Sequence, residues 1–320
     1  MSDDQRQRLT RSLVGQDAVC EALLTAASAN RLSASLILNG RAGSGRKSLA
    51  FLIAVQHLVH GTLRHAPNAL PDECGFAFGL MEQGAHPDFL VIRPEGAKGE
   101  IRAEAARQLQ DFHSKTPAMG PGKVALIENA DALNRTSANA LLKVIEEPKP
   151  SLRVLLVTKS VAGLLPTIRS RCSVYTLVGL EAQLIEQLLA ARGLSLPPAA
   201  IHACEGDASL ALTLAEQEIA LDWLDPLKVT GTPPRAGFTP AQVAGLVKAE
   251  KDLGGQIVAR LALAAMASSV KAINRTPNLS QAQGFVEIEK RLHQRAQLSL
   301  DSTATWTEVL AQFHDMLTSE

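Results

Sequence analysis

Two stretches of this 320-residue chain hold residues whose types and spacing could do chemistry on a phosphate. The first is Gly40-Arg41-Ala42-Gly43-Ser44-Gly45-Arg46-Lys47-Ser48. A loop that grips a nucleoside triphosphate reads G-x-x-x-x-G-K-[ST]. Its backbone N–H groups and a helix N-terminus hold the phosphates, its lysine reaches the β- and γ-phosphates, and its hydroxyl binds Mg²⁺. With Gly40 and Gly45 as the fixed glycines, Arg46 takes the lysine position and Lys47 the hydroxyl position, where a cation cannot ligate Mg²⁺. The register ending on Lys47-Ser48 needs glycines where Arg41 and Arg46 stand. In the first register Ser48 comes one residue too late, rotated about 100° around the helix. An ordinary glycine turn is the alternative, but a strand before and a helix after favour a phosphate loop that has decayed from a working one.

The second stretch is Glu128-Asn129, at the end of the apolar run Val124–Ile127. A hydrolysing site places an Asp there to hold Mg²⁺, and ATPases of this general kind follow it with a Glu that activates water. Glu128 keeps a carboxylate on a longer arm. Asn129 can orient a water but cannot take its proton. Both elements are altered, so the chain is expected not to hydrolyse ATP, with room left for weak or vestigial nucleotide binding.

Other reactive residue types read as structural. Cys20, Cys74, Cys172 and Cys204 form no Cys-x-x-Cys pair and no disulfide framework, which fits a reducing compartment. His86, followed by Pro87-Asp88, reads as a turn residue. Glu146-Glu147 ends a helix ahead of Pro148 and reads as structural or as a subunit contact. Cys172 reads as a small residue ahead of a strand rather than a nucleophile.

The elements that must position these residues alternate. Strands are expected at 35–38, 89–92, 124–127, 154–158 and 174–177, and helices at 16–29, 48–60, 102–113 and about 137–147, with 61–86 irregular. Short apolar strands between helices predict an α/β domain with a parallel sheet covered on both faces. Beyond about 178 the chain is Ala- and Leu-rich with helical spacing. Pro197-Pro198 breaks it, 225–240 reads as a linker, and 240–318 as packed helices. Charges balance at 32 against 32, so no dominant basic footprint for nucleic acid exists. The N-terminus carries no apolar signal region, and Leu261–Ala267 is too short to span a membrane. The expectation is a soluble intracellular protein.

Four segments carry a family resemblance. They are Arg31-Leu32-Ser33-Ala34-Ser35-Leu36-Ile37-Leu38-Asn39-Gly40, His86-Pro87-Asp88-Phe89, Asn139-Ala140-Leu141-Leu142-Lys143-Val144-Ile145-Glu146-Glu147-Pro148, and Leu165-Pro166-Thr167-Ile168-Arg169-Ser170-Arg171-Cys172. Over about residues 12 to 178 the chain resembles the delta-prime family of bacterial DNA polymerase III clamp-loader subunits, which are AAA+ proteins. The resemblance implies an AAA+, P-loop NTPase-like sheet domain at 1–178, a small helical lid at 179–224 and an all-α collar at 225–320.

The resemblance also implies roles. Arg171, in Ser170-Arg171-Cys172, would be an arginine finger that reaches the γ-phosphate in a neighbouring subunit, with Arg169 the second candidate for that task. Thr158 matches the nucleotide-sensing threonine, while Ser209 stands where ATP-binding relatives carry an arginine. Many members bind zinc through four cysteines; only Cys74 stands in that region, so no zinc is expected and no cofactor is required. The implied partners are the gamma/tau and delta subunits, with the sliding clamp and primer–template DNA reached through the complex, no membrane, and a cytoplasmic location. Two alternatives are an active AAA+ ATPase of the gamma/tau motor type and a stand-alone binding protein unconnected to replication.

Overall fold

A computed structural model describes residues 11–95, 100–101, 103–216, 227, 238–253, 255–273, 279–298 and 301–318. The chain divides into two compact units, Met1–Leu184 and Ile185–Glu320.

The first unit is built on strands β1 (Ser35–Gly40), β2 (Phe89–Ile92), β3 (Lys123–Ile127), β4 (Leu152–Thr158) and β5 (Ser173–Leu177), in the order β2-β3-β4-β1-β5. Every pairing is parallel. Because side chains alternate across a strand, β1 to β4 each feed two cores, while β5 at the sheet edge gives Tyr175 and Leu177 to one. Leu36, Leu38, Val124, Leu126, Leu155 and Val157 join one core with Leu49, Ile53 and Phe78. Ile37, Ala125, Ile127, Val154 and Leu156 join the other with Leu109, Leu141, Val144 and Ile145. This double burial explains why the strands read as unbroken apolar runs. Each fully buried Leu, Ile or Val contributes about 1.5–3 kcal/mol. A parallel sheet with helices packed on both faces is the expected α/β class.

The covering helices are α1 (Asp17–Ser28), α2 (Arg46–His60), α3 (Gly75–Glu82), α4 (Ala103–Ser114), α5 (Arg135–Glu146) and α6 (Pro166–Arg169), followed by α7 (Ala182–Ala190). Two differences from the sequence reading matter. Helix α2 begins at Arg46, two residues earlier than expected, which makes both loop cations helical. The stretch expected to be irregular contains α3, whose Ala77, Phe78 and Met81 are buried; Gly75 and Gly79 masked its periodicity.

The second unit is helical: α8 (Pro198–Ala203), α9 (Ala208–Glu216), α10 (Pro240–Leu253), α11 (Gly255–Ile273), α12 (Leu279–Leu298) and α13 (Ser302–Thr318). Val258, Leu261, Met266, Trp306, Leu310 and Phe313 are buried in it. Asp207 accepts the Leu210 N–H at 3.0 Å, the bond of a helix cap, and Ser209 is exposed on the first turn of α9. Most of the expected 225–240 linker lies outside the described residues. No helix among the described residues is long and apolar enough to cross a membrane.

Candidate functional site

The loop between β1 and α2 is a built turn. Gly43 (φ +68) and Gly45 (φ +88) adopt the left-handed conformation that glycine tolerates. A Cβ at Gly45 would stand 2.4 Å from Leu13 Cδ1. The buried Gln16 ties the loop down: its Nε2 donates to Ser44 O at 3.2 Å and to Val178 O at 2.7 Å. Gly40 pairs with Leu177 at the exit edge of the sheet.

The loop cations turn to the protein itself. The Arg46 side chain is buried, and its Nη1 donates to the backbone carbonyl of Thr158. Lys47 Nζ lies 3.0 Å from Glu128 Oε2, and Arg93 Nη2 lies 3.2 Å from Glu128 Oε1. Glu128, only 8% exposed, is therefore shared between two cations. Ser48 is half-buried one residue further along α2. This donor set does not fit a Mg²⁺–triphosphate. The carboxylate that would approach the metal is already neutralised, and an ammonium stands where a hydroxyl ligand belongs.

Asn129, at φ +53, makes the sharp turn out of β3, a conformation asparagine tolerates. Two residues later, Asp131 organises the site more than the sequence reading anticipated. It accepts Thr158 Oγ1–H at 2.6 Å, Lys159 N–H at 2.9 Å and Ser160 N–H at 3.2 Å. Burial pushes its carboxyl upward, but the bonds from Thr158, Lys159 and Ser160 together outweigh burial and hold it below the ordinary value. The Thr158 hydroxyl is thus committed to Asp131. Arg93, Gln16 and Asp131 belong to no sequence motif, and only the fold shows what each one reaches.

The arginine stands elsewhere. Pro166 opens α6, and Ile168, fully buried, anchors it. Arg171 follows and is 42% exposed. Its Nη2 meets Glu146 Oε1 at 3.0 Å, and its Nη1 donates to Thr167 O at 3.2 Å and Ser170 Oγ at 3.4 Å. Ser170 is exposed, and Arg169 is half-buried. Burial pushes the Cys172 thiol up to about 12, so it stays protonated and unreactive.

Strand register separates the two places. Leu36 pairs with Ser173 and Gly40 with Leu177. Arg171 therefore precedes the entry edge of the sheet, while the loop leaves the exit edge. Four residues of strand at about 3.3 Å each put roughly 13 Å between those edges. The sheet brings Gly40, Gly43, Gly45, Arg46, Lys47, Ser48, Glu128, Asn129 and Thr158 to one end, and Ser170, Arg171 and Cys172 to the other.

Between α2 and β2, His60, His65, Glu73 and Cys74 lie near one another. His65 Nε2 and His60 Nε2 lie 2.9 and 3.6 Å from Glu73 Oε1, and His60 Nε2 lies 3.9 Å from Cys74 Sγ. Burial, then the nearby Glu73 charge, pushes the Cys74 thiol up to about 11. No group of three or more His, Cys, Asp or Glu among the described residues forms a metal cage. Nearby, His86 is a turn residue: its Nδ1 accepts the Asp88 N–H at 3.1 Å.

Residues 15–181, just over half the chain, match the family model described as DNA polymerase III, delta subunit. DNA polymerase III subunit delta' of Pseudomonas aeruginosa is 42% identical over 136 residues, 42% of this chain and 40% of that protein. DNA polymerase III subunit tau of Escherichia coli is 32% identical over 223 residues, 67% of this chain and 34% of that protein. The matches thus span less than half the length of these curated relatives. Among solved structures, a DNA polymerase III gamma subunit-related protein of Thermotoga maritima aligns with a TM-score of 0.48 at 19% identity, covering 93% of this chain and 99% of that one.

Proposed function

The chain belongs to the DNA polymerase III delta-subunit family, and from that premise we propose that it is a clamp-loader subunit that hydrolyses no ATP itself and lends Arg171 to a neighbour's site. The observation that carries this reading is the register just described. Arg171 stands at the sheet edge opposite its own loop, exposed, so its guanidinium serves a phosphate on another molecule. A finger of this kind contributes about 10³–10⁵ in rate, roughly 4–7 kcal/mol of barrier. Its planar, permanently charged fork suits phosphate oxygens. The Lys47–Glu128–Arg93 cluster supports the other half of the reading, because the charges a nucleotide would need are already spent on one another.

On this reading the neighbour is a gamma/tau subunit, delta completes the ring, and the sliding clamp and primer–template DNA are engaged through the complex. The chain needs no cofactor of its own, retains at most weak nucleotide binding, and works in the cytoplasm. Residues 1–178 form the AAA+ domain, 179–224 the lid and 225–320 the collar.

The test mixes the purified chain with gamma/tau and delta and follows ATP turnover and clamp loading. Expected are no turnover by the chain alone, stimulation by the wild type, and little stimulation by Arg171→Ala in complexes that still assemble. Normal stimulation by the variant would sink the finger assignment. The second reading, an active motor of the gamma/tau type, is favoured by the similarity to tau over 67% of the chain. It requires ATP turnover by the isolated chain.

A further inference from the structure

The proposed finger is not held by its own segment alone. Nη1 is engaged by Thr167 O and Ser170 Oγ, both within four residues of Arg171. Nε and Nη2 are the nitrogens left to meet a phosphate, and Nη2 is the one that Glu146 touches, at 3.0 Å. Glu146 is the last residue of α5. That helix is pinned at its start by the Asn134 cap, whose side chain accepts the Ser137 N–H at 2.9 Å, and along its length by buried Ala138, Leu141, Val144 and Ile145. The carboxylate therefore rides on a fixed element, while the arginine is a long side chain with up to about 2 kcal/mol of rotamer entropy to lose.

We infer that Glu146 is a positioning residue for Arg171, fixing the guanidinium before it meets the neighbour's phosphate. The inference rests on the finger reading of Arg171. A pair in which the side chains are 42% and 44% exposed adds little to folding stability. An effect on rate is thus separable from an effect on the fold. Misplacing a reacting group by an ångström costs up to about a hundredfold, and the brace is expected to recover part of that.

The experiment uses the assembled complex of gamma/tau, delta and this chain, and measures ATP turnover against ATP concentration. Glu146→Ala lowers kcat about fivefold to twentyfold, with KM, assembly and the chain's own Tm unchanged. Glu146→Asp keeps the charge but draws it back by one methylene, and gives a similar loss. Glu146→Gln, whose amide oxygen can occupy the place of Oε1, recovers most of the rate. In an Arg171→Ala background, Glu146→Ala has no further effect. Full rate in both Glu146→Ala and Glu146→Asp, a rate above wild type, or an equal loss without Arg171 would each overturn the inference. An Arg171→Ala chain that stimulates normally would instead refute the finger reading, so the two failures are told apart.

Discussion

Lys47–Glu128 and Arg171–Glu146 are both cation–carboxylate pairs at 3.0 Å, one at each end of the same sheet. Glu128 is 8% exposed and shared with Arg93, whereas Glu146 is 44% exposed and, among the described residues, pairs with Arg171. In the first pair the carboxylate sits in a low-dielectric setting where attraction is strong and letting go leaves a nearly buried charge. In the second, water screens both partners, and a phosphate can compete for the arginine. A cation–carboxylate pair closes a site when its carboxylate is turned inward and offers one when it is turned outward. The two carboxylates are alike in residue type and differ in burial.

The largest break in this comparison comes from removing one cation at each end. Arg171→Ala lowers turnover at the site it faces by about 10³–10⁵, read as single-turnover phosphate release in the assembled complex. Arg46→Ala, at the loop, leaves that rate unchanged per assembled complex, because its guanidinium is spent on the Thr158 carbonyl. Equal losses in the two variants would erase the distinction between the ends.

Next in size is the platform under the finger. Ile168 is fully buried and belongs to the core that also holds Leu141 and Leu156. Ile168→Ala leaves a cavity and lowers unfolding free energy by about 2–5 kcal/mol, measured by urea titration. A loss under 1 kcal/mol would show that α6 is not anchored by this contact.

Much of this arrangement was legible before the fold. The five strands follow from apolar runs such as Val154–Val157, and the altered loop follows from Arg46 and Lys47 standing in the wrong places. What the sequence could not supply was partnership across distance. Glu128 reads as a damaged metal ligand, and only the sheet shows that Lys47 and Arg93 converge on it. Glu146 reads as a helix end, and only the packing of α5 beside α6 brings it to Arg171. Helix α3 was missed for a local reason: two glycines interrupt its apolar face, and tertiary burial of Phe78 and Met81 outweighs their low propensity.

A smaller effect sharpens the burial argument directly. Glu128→Gln keeps the shape but removes the charge facing Lys47 and Arg93. Hydrogen bonds to charged groups contribute about 1.5–3 kcal/mol. Since the Lys47 and Arg93 side chains are 37% and 60% exposed, the loss is discounted to about 1–2 kcal/mol. Glu146→Gln costs at most about 1 kcal/mol. Side-by-side urea titrations should rank them in that order, and the reverse order would mean that burial is not what distinguishes the pairs.

The smallest effect is a pH dependence at the loop end. Hydrogen bonds hold the Asp131 carboxyl below its ordinary value of 3.8. A depressed acid stabilises the fold fully above its unfolded pKa and loses that contribution as pH falls through the folded value. Asp131→Asn cannot match the carboxylate's three accepted bonds, since its Nδ2 would face an N–H donor. The Tm gap between wild type and Asp131→Asn should hold steady from pH 7 to about 5 and narrow below the ordinary aspartate value. His57 drains stability in the same acid direction, because burial and the Arg153 charge push it down to about 4 from 6.5, so the unfolded chain takes the proton first. That loss is common to both proteins and cancels in the gap. A gap that stays constant down to pH 2.5 would mean that Asp131 holds Thr158 and the turn after β4 by shape alone, and that charge at the loop end acts through Glu128 rather than Asp131.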